Sequence, residues 1–402
     1  MKKAFIRLRR AIIGLSNILV GCDMKESKGL LEIGDIKGRQ VIDMNSDWTF
    51  YLKTLESKDC SFYSIDNFRQ IKNNKTVDLP HDWSIEQEFT KEYNTENESA
   101  SLPGGVAWYS KELKADEIKD ILGKNVILSF GGVYMRSYVY INGEEVASNL
   151  YGYNSFNLDI SKYFAKAQDI EITVLVINQL PNSRWYSGSG IYRKVFLNVT
   201  EPIYVATDGT YVTTPDLSSK YNDKASVRVE NEIKNNSSKV QNISVKNEIY
   251  DKQGNLVAES ETEKYIINSG ESVVKTMNLS VNQPELWSTQ NAALYTVKTV
   301  VYLDGSVIDT YDTQFGFRWF DYDSDKGFLL NGVPTKLKGI CLHHDQGSLG
   351  ACAYTDSIQR QIEIMKEMGA NAVRTSHNPA SKELIDICNK MGILVIEESF
   401  DT

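Results

Sequence analysis

From about Gly29 to Thr200, short apolar runs alternate with turn-forming polar segments, and no stretch keeps a helical period. Residues 126–130, 171–177 and 194–199 read as strands. Ser137-Tyr-Val-Tyr-Ile141 runs into Asn142-Gly143 and then into residues 144–147. Asn-Gly between two such runs predicts a hairpin, because both turn positions need positive φ. Many short strands with turn signals predict a β-sandwich of the jelly-roll kind over residues 30–200. Residues 201–318 repeat the all-β pattern at immunoglobulin size, with candidate strands at 224–231, 241–250, 255–261, 272–279 and 295–303. Asp304-Gly305 and Gln253-Gly254 sit at expected hairpin tips.

Beyond Phe320 the period changes. Asn331-Gly332 closes a small hairpin and residues 335–340 read as a strand. Ile358, Ile362 and Met365 mark one face of a helix that Gly369 stops. Residues 371–374 read as a strand, Leu384, Cys388 and Met391 mark a second helix stopped by Gly392, and residues 394–397 a third strand. Strand, helix, strand, helix, strand is the opening of a parallel βα array. A (β/α)₈ barrel needs roughly 250 residues, far more than residues 319–402 supply. The expected fold class is therefore mainly β with a C-terminal α/β part: a jelly-roll sandwich, an immunoglobulin-like sandwich, then the first strands and helices of an incomplete TIM barrel.

Composition narrows the function classes. The 402 residues are 41% hydrophobic and 24% charged, enough for sizeable cores. A formal net charge of −9 argues against nucleic acid and anionic lipid as partners. The 22 tyrosines suit sugar rings, although Tyr is also an ordinary strand residue. Lys2, Lys3, Arg7, Arg9 and Arg10 precede an apolar run at 11–20, too short to span a bilayer, which predicts a secretory signal over residues 1–21. Leu19-Val20-Gly21-Cys22 resembles the bacterial lipoprotein box, so Cys22 is the expected lipidation site and the chain is expected to be exported and lipid-anchored to a bacterial membrane. Cys60, Cys341, Cys352 and Cys388 form no C-x-x-C pair and are expected to be mostly free, buried thiols.

Barrel active sites form at the C-terminal ends of strands. Three clusters fall there: His343-His344-Asp345, Arg374-Thr-Ser-His377-Asn378, and Glu397-Glu398-Ser-Phe-Asp401. Adjacent His residues on a strand point to opposite faces, which disfavours a shared metal and favours imidazoles bonded to sugar hydroxyls. Arg374 on a barrel strand needs a carboxylate, Glu397 or Glu398. Those two glutamates face opposite ways, so they cannot flank one glycosidic bond. In the first sandwich, Leu79-Pro-His-Asp-Trp83 and Ser183-Arg-Trp-Tyr-Ser-Gly-Ser-Gly-Ile-Tyr-Arg193 could each bind carbohydrate or cap a sheet edge.

Together with Gly104-Gly-Val-Ala-Trp-Tyr109, Phe130-Gly-Gly-Val133, Pro284-Glu-Leu-Trp287, Phe315-Gly-Phe-Arg318 and Asn371-Ala-Val-Arg-Thr-Ser-His-Asn-Pro379, these motifs resemble glycoside hydrolase family 2, of the β-galactosidase type. The resemblance implies hydrolysis of terminal β-galactosides with retention, by two Glu residues expected downstream of Thr402, so no catalytic carboxylate is assigned to this chain. It implies substrate-binding roles for Asp82, His343, His377 and Arg374, the last with a structural role favoured. Asn378 stands where the family often has Tyr. The resemblance leaves a divalent cation and a homo-oligomer open for the complete enzyme. The other readings are a β-glucuronidase or β-mannosidase fragment, and a non-catalytic carbohydrate-binding lipoprotein.

Overall fold

The computed structural model describes residues 31–36, 38–53, 64–93, 95 and 99–400; the expected signal segment, Cys22 and Cys60 lie outside them. The first sandwich has two antiparallel sheets. One orders Leu31–Ile36, Arg39–Asp43, Val195–Thr200, Asn125–Phe130 and Phe156–Asp159. The other orders Lys75–Val77, Trp48–Lys53, Gly105–Leu113, Ile170–Asn178, Arg136–Ile141 and Glu144–Asn149. Ile170–Asn178 is interior and almost wholly buried, whereas Glu144–Asn149 at the edge has no fully buried residue. The two are not neighbours; Arg136–Ile141 lies between them and turns into the edge strand through Asn142 (φ 52°) and Gly143 (φ 90°). Trp48, Trp83, Tyr109, Phe50 and Phe130 fill the interior, and Trp108 is buried on the opposite face of its sheet against Phe68.

The second sandwich packs Ile203–Thr213, Lys224–Asn235 and Ser272–Asn282 against a sheet built on Gln241–Tyr250, Tyr295–Leu303 and Ser306–Phe315. Strict alternation along Lys224–Asn235 and Gln241–Tyr250 sends Val227, Val229, Ile233, Ile243, Val245 and Ile249 into one core. Ile203–Thr213 escapes the sequence reading for a physical reason. Its Asp208-Gly209 looks like a turn, but the strand carries it as an irregularity between Val205 and Thr210, with Asp208 at φ 56°.

The two sandwiches are joined by a buried ion pair. Arg39 donates from Nε to Asp309 Oδ1 (3.0 Å) and from NH2 to Oδ2 (2.8 Å), and the Val205 amide donates to the same Oδ2 (2.8 Å). Tyr311 lies under the guanidinium, 4.6 Å from its ring centre.

The α/β part has three parallel strands, Gly339–Leu342, Ala372–Thr375 and Leu394–Ile396, in that order. The first begins later than the expected 335–340, because Val333–Pro334 instead pairs back antiparallel with Gly327–Leu330. Helix Thr355–Glu367 buries Ile358, Ile362 and Met365 against the strands. Helix Lys382–Met391 starts at Ser381, whose hydroxyl accepts from the Leu384 amide, and ends at left-handed Gly392. Cys352 and Cys388 are free and buried; Cys341 is free but exposed, against the expectation of buried thiols.

Candidate functional site

Parallel register sets the first part of the site. Cys341 pairs with Arg374, and Arg374 with Ile396, so the ends of all three barrel strands come level. Arg374 reaches across to Glu398, donating from Nε to Oε1 (2.5 Å) and from NH2 to Oε2 (3.0 Å). This bidentate pair settles which of the two candidate glutamates serves Arg374; Glu397 instead accepts from the Ala380 amide. Arg374 NH2 also lies 3.2 Å from His377 Nδ1. A carboxylate held this way is a brace for the site, not a general acid.

The first sandwich supplies the other wall. The 183–193 loop crosses to the barrel and packs the Trp185 indole against two imidazoles, with ring centres 5.4 Å from His343 and 5.1 Å from His377. Those imidazoles are themselves 5.6 Å apart. Trp185 Nε1 donates to the Tyr153 hydroxyl (3.0 Å), which fixes the indole plane. Tyr134, Tyr151, Tyr153, Arg184, Trp185 and His377 line an open cleft of about 400 Å³. Burial and the neighbouring His377 hold His343 below the ordinary histidine range, so it is a neutral hydrogen-bonding group. A flat indole beside imidazoles is suited to a sugar ring and its hydroxyls.

Asp82, expected to contact sugar, does not line this cleft. It is 1% exposed and both carboxylate oxygens are occupied. Oδ1 accepts from the Ser84 (3.0 Å) and Ser189 (2.9 Å) amides; Oδ2 accepts from Tyr186 Oη (2.6 Å) and the Ala351 amide (2.9 Å). Asp82 thus gathers its own loop, the 183–193 loop and the loop after the first barrel strand. Desolvation raises its pKa above the ordinary aspartate value, against the pull of these four bonds. Gly188, at φ 69°, is needed here: a Cβ would stand 2.4 Å from Ala351 Cβ and 2.7 Å from Asp82 Oδ2.

The structure therefore brings together His343, His377 and Arg374, and places Asp82 behind them. Trp185 and Glu398 belong to the site but not to the binding set expected from sequence, although both lie in motifs that stand out there. Among the described residues, no group of three or more His, Cys, Asp or Glu side chains is arranged to hold a metal ion.

Family comparisons align with this layout. Residues 42–202 match the model for the sugar binding domain of glycosyl hydrolases family 2, residues 204–318 the model named for the family itself, and residues 324–400 the model for its TIM barrel domain. Beta-galactosidase BoGH2A of Bacteroides ovatus is 41% identical over 91% of this chain and 42% of its own length. A putative beta-glucuronidase of Formosa agariphila is 34% identical over 89% of this chain and 33% of its own length. Among solved structures, a family 2 member from Bacteroides cellulosilyticus superposes with a TM-score of 0.81 at 35% identity, over 90% of this chain and 46% of that one. The chain spans less than half the length of these relatives.

Proposed function

The chain belongs to glycosyl hydrolases family 2, and from that premise we propose that it recognises the terminal sugar of β-D-galactosides for a retaining β-glycosidase. The observation that carries this reading is the indole of Trp185 packed beside His343 and His377, with His377 next to the Arg374–Glu398 brace. Retaining hydrolysis needs two carboxyl groups about 5–5.5 Å apart across the bond. Glu398 is already engaged by Arg374, so this reading gives the described residues recognition and orientation, and leaves bond cleavage to carboxylates outside them. Galactose is favoured by the likeness to the Bacteroides ovatus beta-galactosidase. A glucuronide is the second reading, favoured by the likeness to the Formosa agariphila relative.

Calorimetric titration of the chain with galactose and with glucuronate separates the two. Heat with galactose, lost in Trp185→Ala, supports the first reading; heat with glucuronate alone replaces it by the second. The chain by itself is expected to release no nitrophenol from nitrophenyl β-galactoside, and turnover would overturn the division of labour. The same reading holds the protein at a bacterial membrane through a lipid on Cys22. Metabolic labelling with a tagged fatty acid is expected to mark the wild-type chain and not Cys22→Ala, and equal labelling would remove the anchor.

A further inference from the structure

Behind the cleft lies a small internal space with no part in the recognition proposed above. It measures about 40 Å³ and is bordered by Tyr192, Arg193, His343, His344, Asn378 and the start of the second barrel helix. Four buried nitrogens of these residues have no partner among the described residues: Arg193 Nε, His343 Nδ1, His344 Nδ1 and Asn378 Nδ2. Arg193 and Asn378 are each 4% exposed. Buried polar groups without partners are rare in folded proteins, so four bordering one cavity need a common explanation.

Their chemistry identifies the occupant. His344 Nε2 lies 2.9 Å from the Ser187 carbonyl oxygen, which can only accept, so Nε2 carries the proton and Nδ1 presents a lone pair. Burial lowers the His344 pKa to about 4, which keeps that ring neutral near neutral pH. Arg193 Nε–H and Asn378 Nδ2 are donors. Arg193 meets backbone oxygens of Gly131, Tyr153, Pro379 and Ala380, and among the described residues it has no carboxylate partner. A cation would face the Arg193 guanidinium, and an anion would face the His344 lone pair. Water answers both, since it accepts from donors and donates to acceptors alike.

We propose that this cavity is a fixed water site, and that its water sets the tautomer of His343. A cavity needs roughly 10–15 Å³ of such space to hold one water, so there is room for about three or four. A water that accepts from Arg193 Nε–H and Asn378 Nδ2 and donates to His344 Nδ1 has one hydrogen left. Of the four unpartnered nitrogens the one left is His343 Nδ1, and with that nitrogen accepting, the His343 proton is held on Nε2. Arg193 and Asn378 are thus positioning residues for His343, acting through solvent. The value of an Nε2–H donor toward a sugar hydroxyl rests on the function proposed above; the water site and the tautomer do not.

The test reads imidazole tautomers directly. The chain has only four histidines, so long-range proton–nitrogen correlation of ¹⁵N-histidine-labelled protein gives a countable spectrum. His343 and His344 are both expected as Nε2–H at neutral pH. Asn378→Leu, which removes one donor, is expected to shift His343 toward Nδ1–H and leave His81 unmoved. A crystal structure of the wild-type chain that resolves solvent is expected to show water bridging Asn378, Arg193 and His344. An Nδ1–H tautomer for His343 in the wild-type chain, an unmoved His343 in folded Asn378→Leu, or a dry cavity would each overturn the proposal. Should Asn378→Leu fail to fold, the wild-type tautomer and the crystal structure still decide it. Galactose binding need not be measured, so failure here and failure of the galactoside reading remain separate.

Discussion

The first sandwich meets each of its two neighbours through a buried carboxylate, and the two junctions are built differently. Toward the second sandwich, Asp309 faces a guanidinium, and charge answers charge. Toward the barrel, Asp82 faces three backbone amides and a phenol, with no cation in its set. Burial pushes both carboxyls upward, but only Asp309 has an arginine opposing the rise. The Arg39–Asp309 pair holds two domains together without touching the cleft. The Asp82 cluster, by contrast, fixes the loop that carries Trp185. One junction governs stability; the other governs stability and site geometry together.

The sharpest way to break this contrast is Arg39→Met. It leaves Asp309 buried and uncompensated, and is expected to cost about 3–5 kcal/mol in urea unfolding, with galactose affinity of the surviving folded chain unchanged. Asp82→Ala is expected to cost somewhat less, about 3 kcal/mol, because its stranded donors are neutral, but to abolish sugar binding as well. Retained binding in Asp82→Ala would show that the Trp185 loop stands without it. Gly188→Ala, which drives a methyl into Ala351 and Asp82, is expected to act in the same direction by about 2 kcal/mol. The smallest effect concerns pH. The folded pKa of Asp82 lies above its ordinary value, so the folded state holds this proton more tightly than the unfolded state. Stability from this residue is full below the unfolded pKa and falls as pH rises through the folded one. The wild-type unfolding free energy minus that of Asp82→Asn should therefore decline as pH rises from about 4, by at most about 1.4 kcal/mol for each tenfold fall in proton concentration. A rising difference would mean that the four hydrogen bonds outweigh desolvation.

Much of the architecture is legible in the sequence because alternation and turn chemistry are local. Asn142-Gly143, Asn331-Gly332 and the helix-stopping Gly392 all behave as their residue types dictate. Ile203–Thr213 is not legible, since a strand irregularity at Asp208-Gly209 and a turn share one local signature. The site divides along the same line. His343, Arg374 and His377 can be picked out because strand ends in a βα array are functional by position. Asp82 is expected in the sugar site only through the family resemblance, while the four donors that enclose it come from Ser84 on its own loop, from Tyr186 and Ser189 on a second loop, and from Ala351 on a third. Trp185 lies inside a motif open to two roles, and its approach to two imidazoles distant in sequence is visible only in the fold.

That approach also gives the cleft an optical reporter. Trp48, Trp83 and Trp108 are fully enclosed and Trp287 nearly so, and their emission should ignore what enters the cleft. Trp185 packs against two imidazoles, groups that quench indole fluorescence most strongly when protonated. A sugar sliding between ring and imidazole, or a proton arriving on His343, would change the brightness of this one indole while the buried ones hold steady as an internal standard.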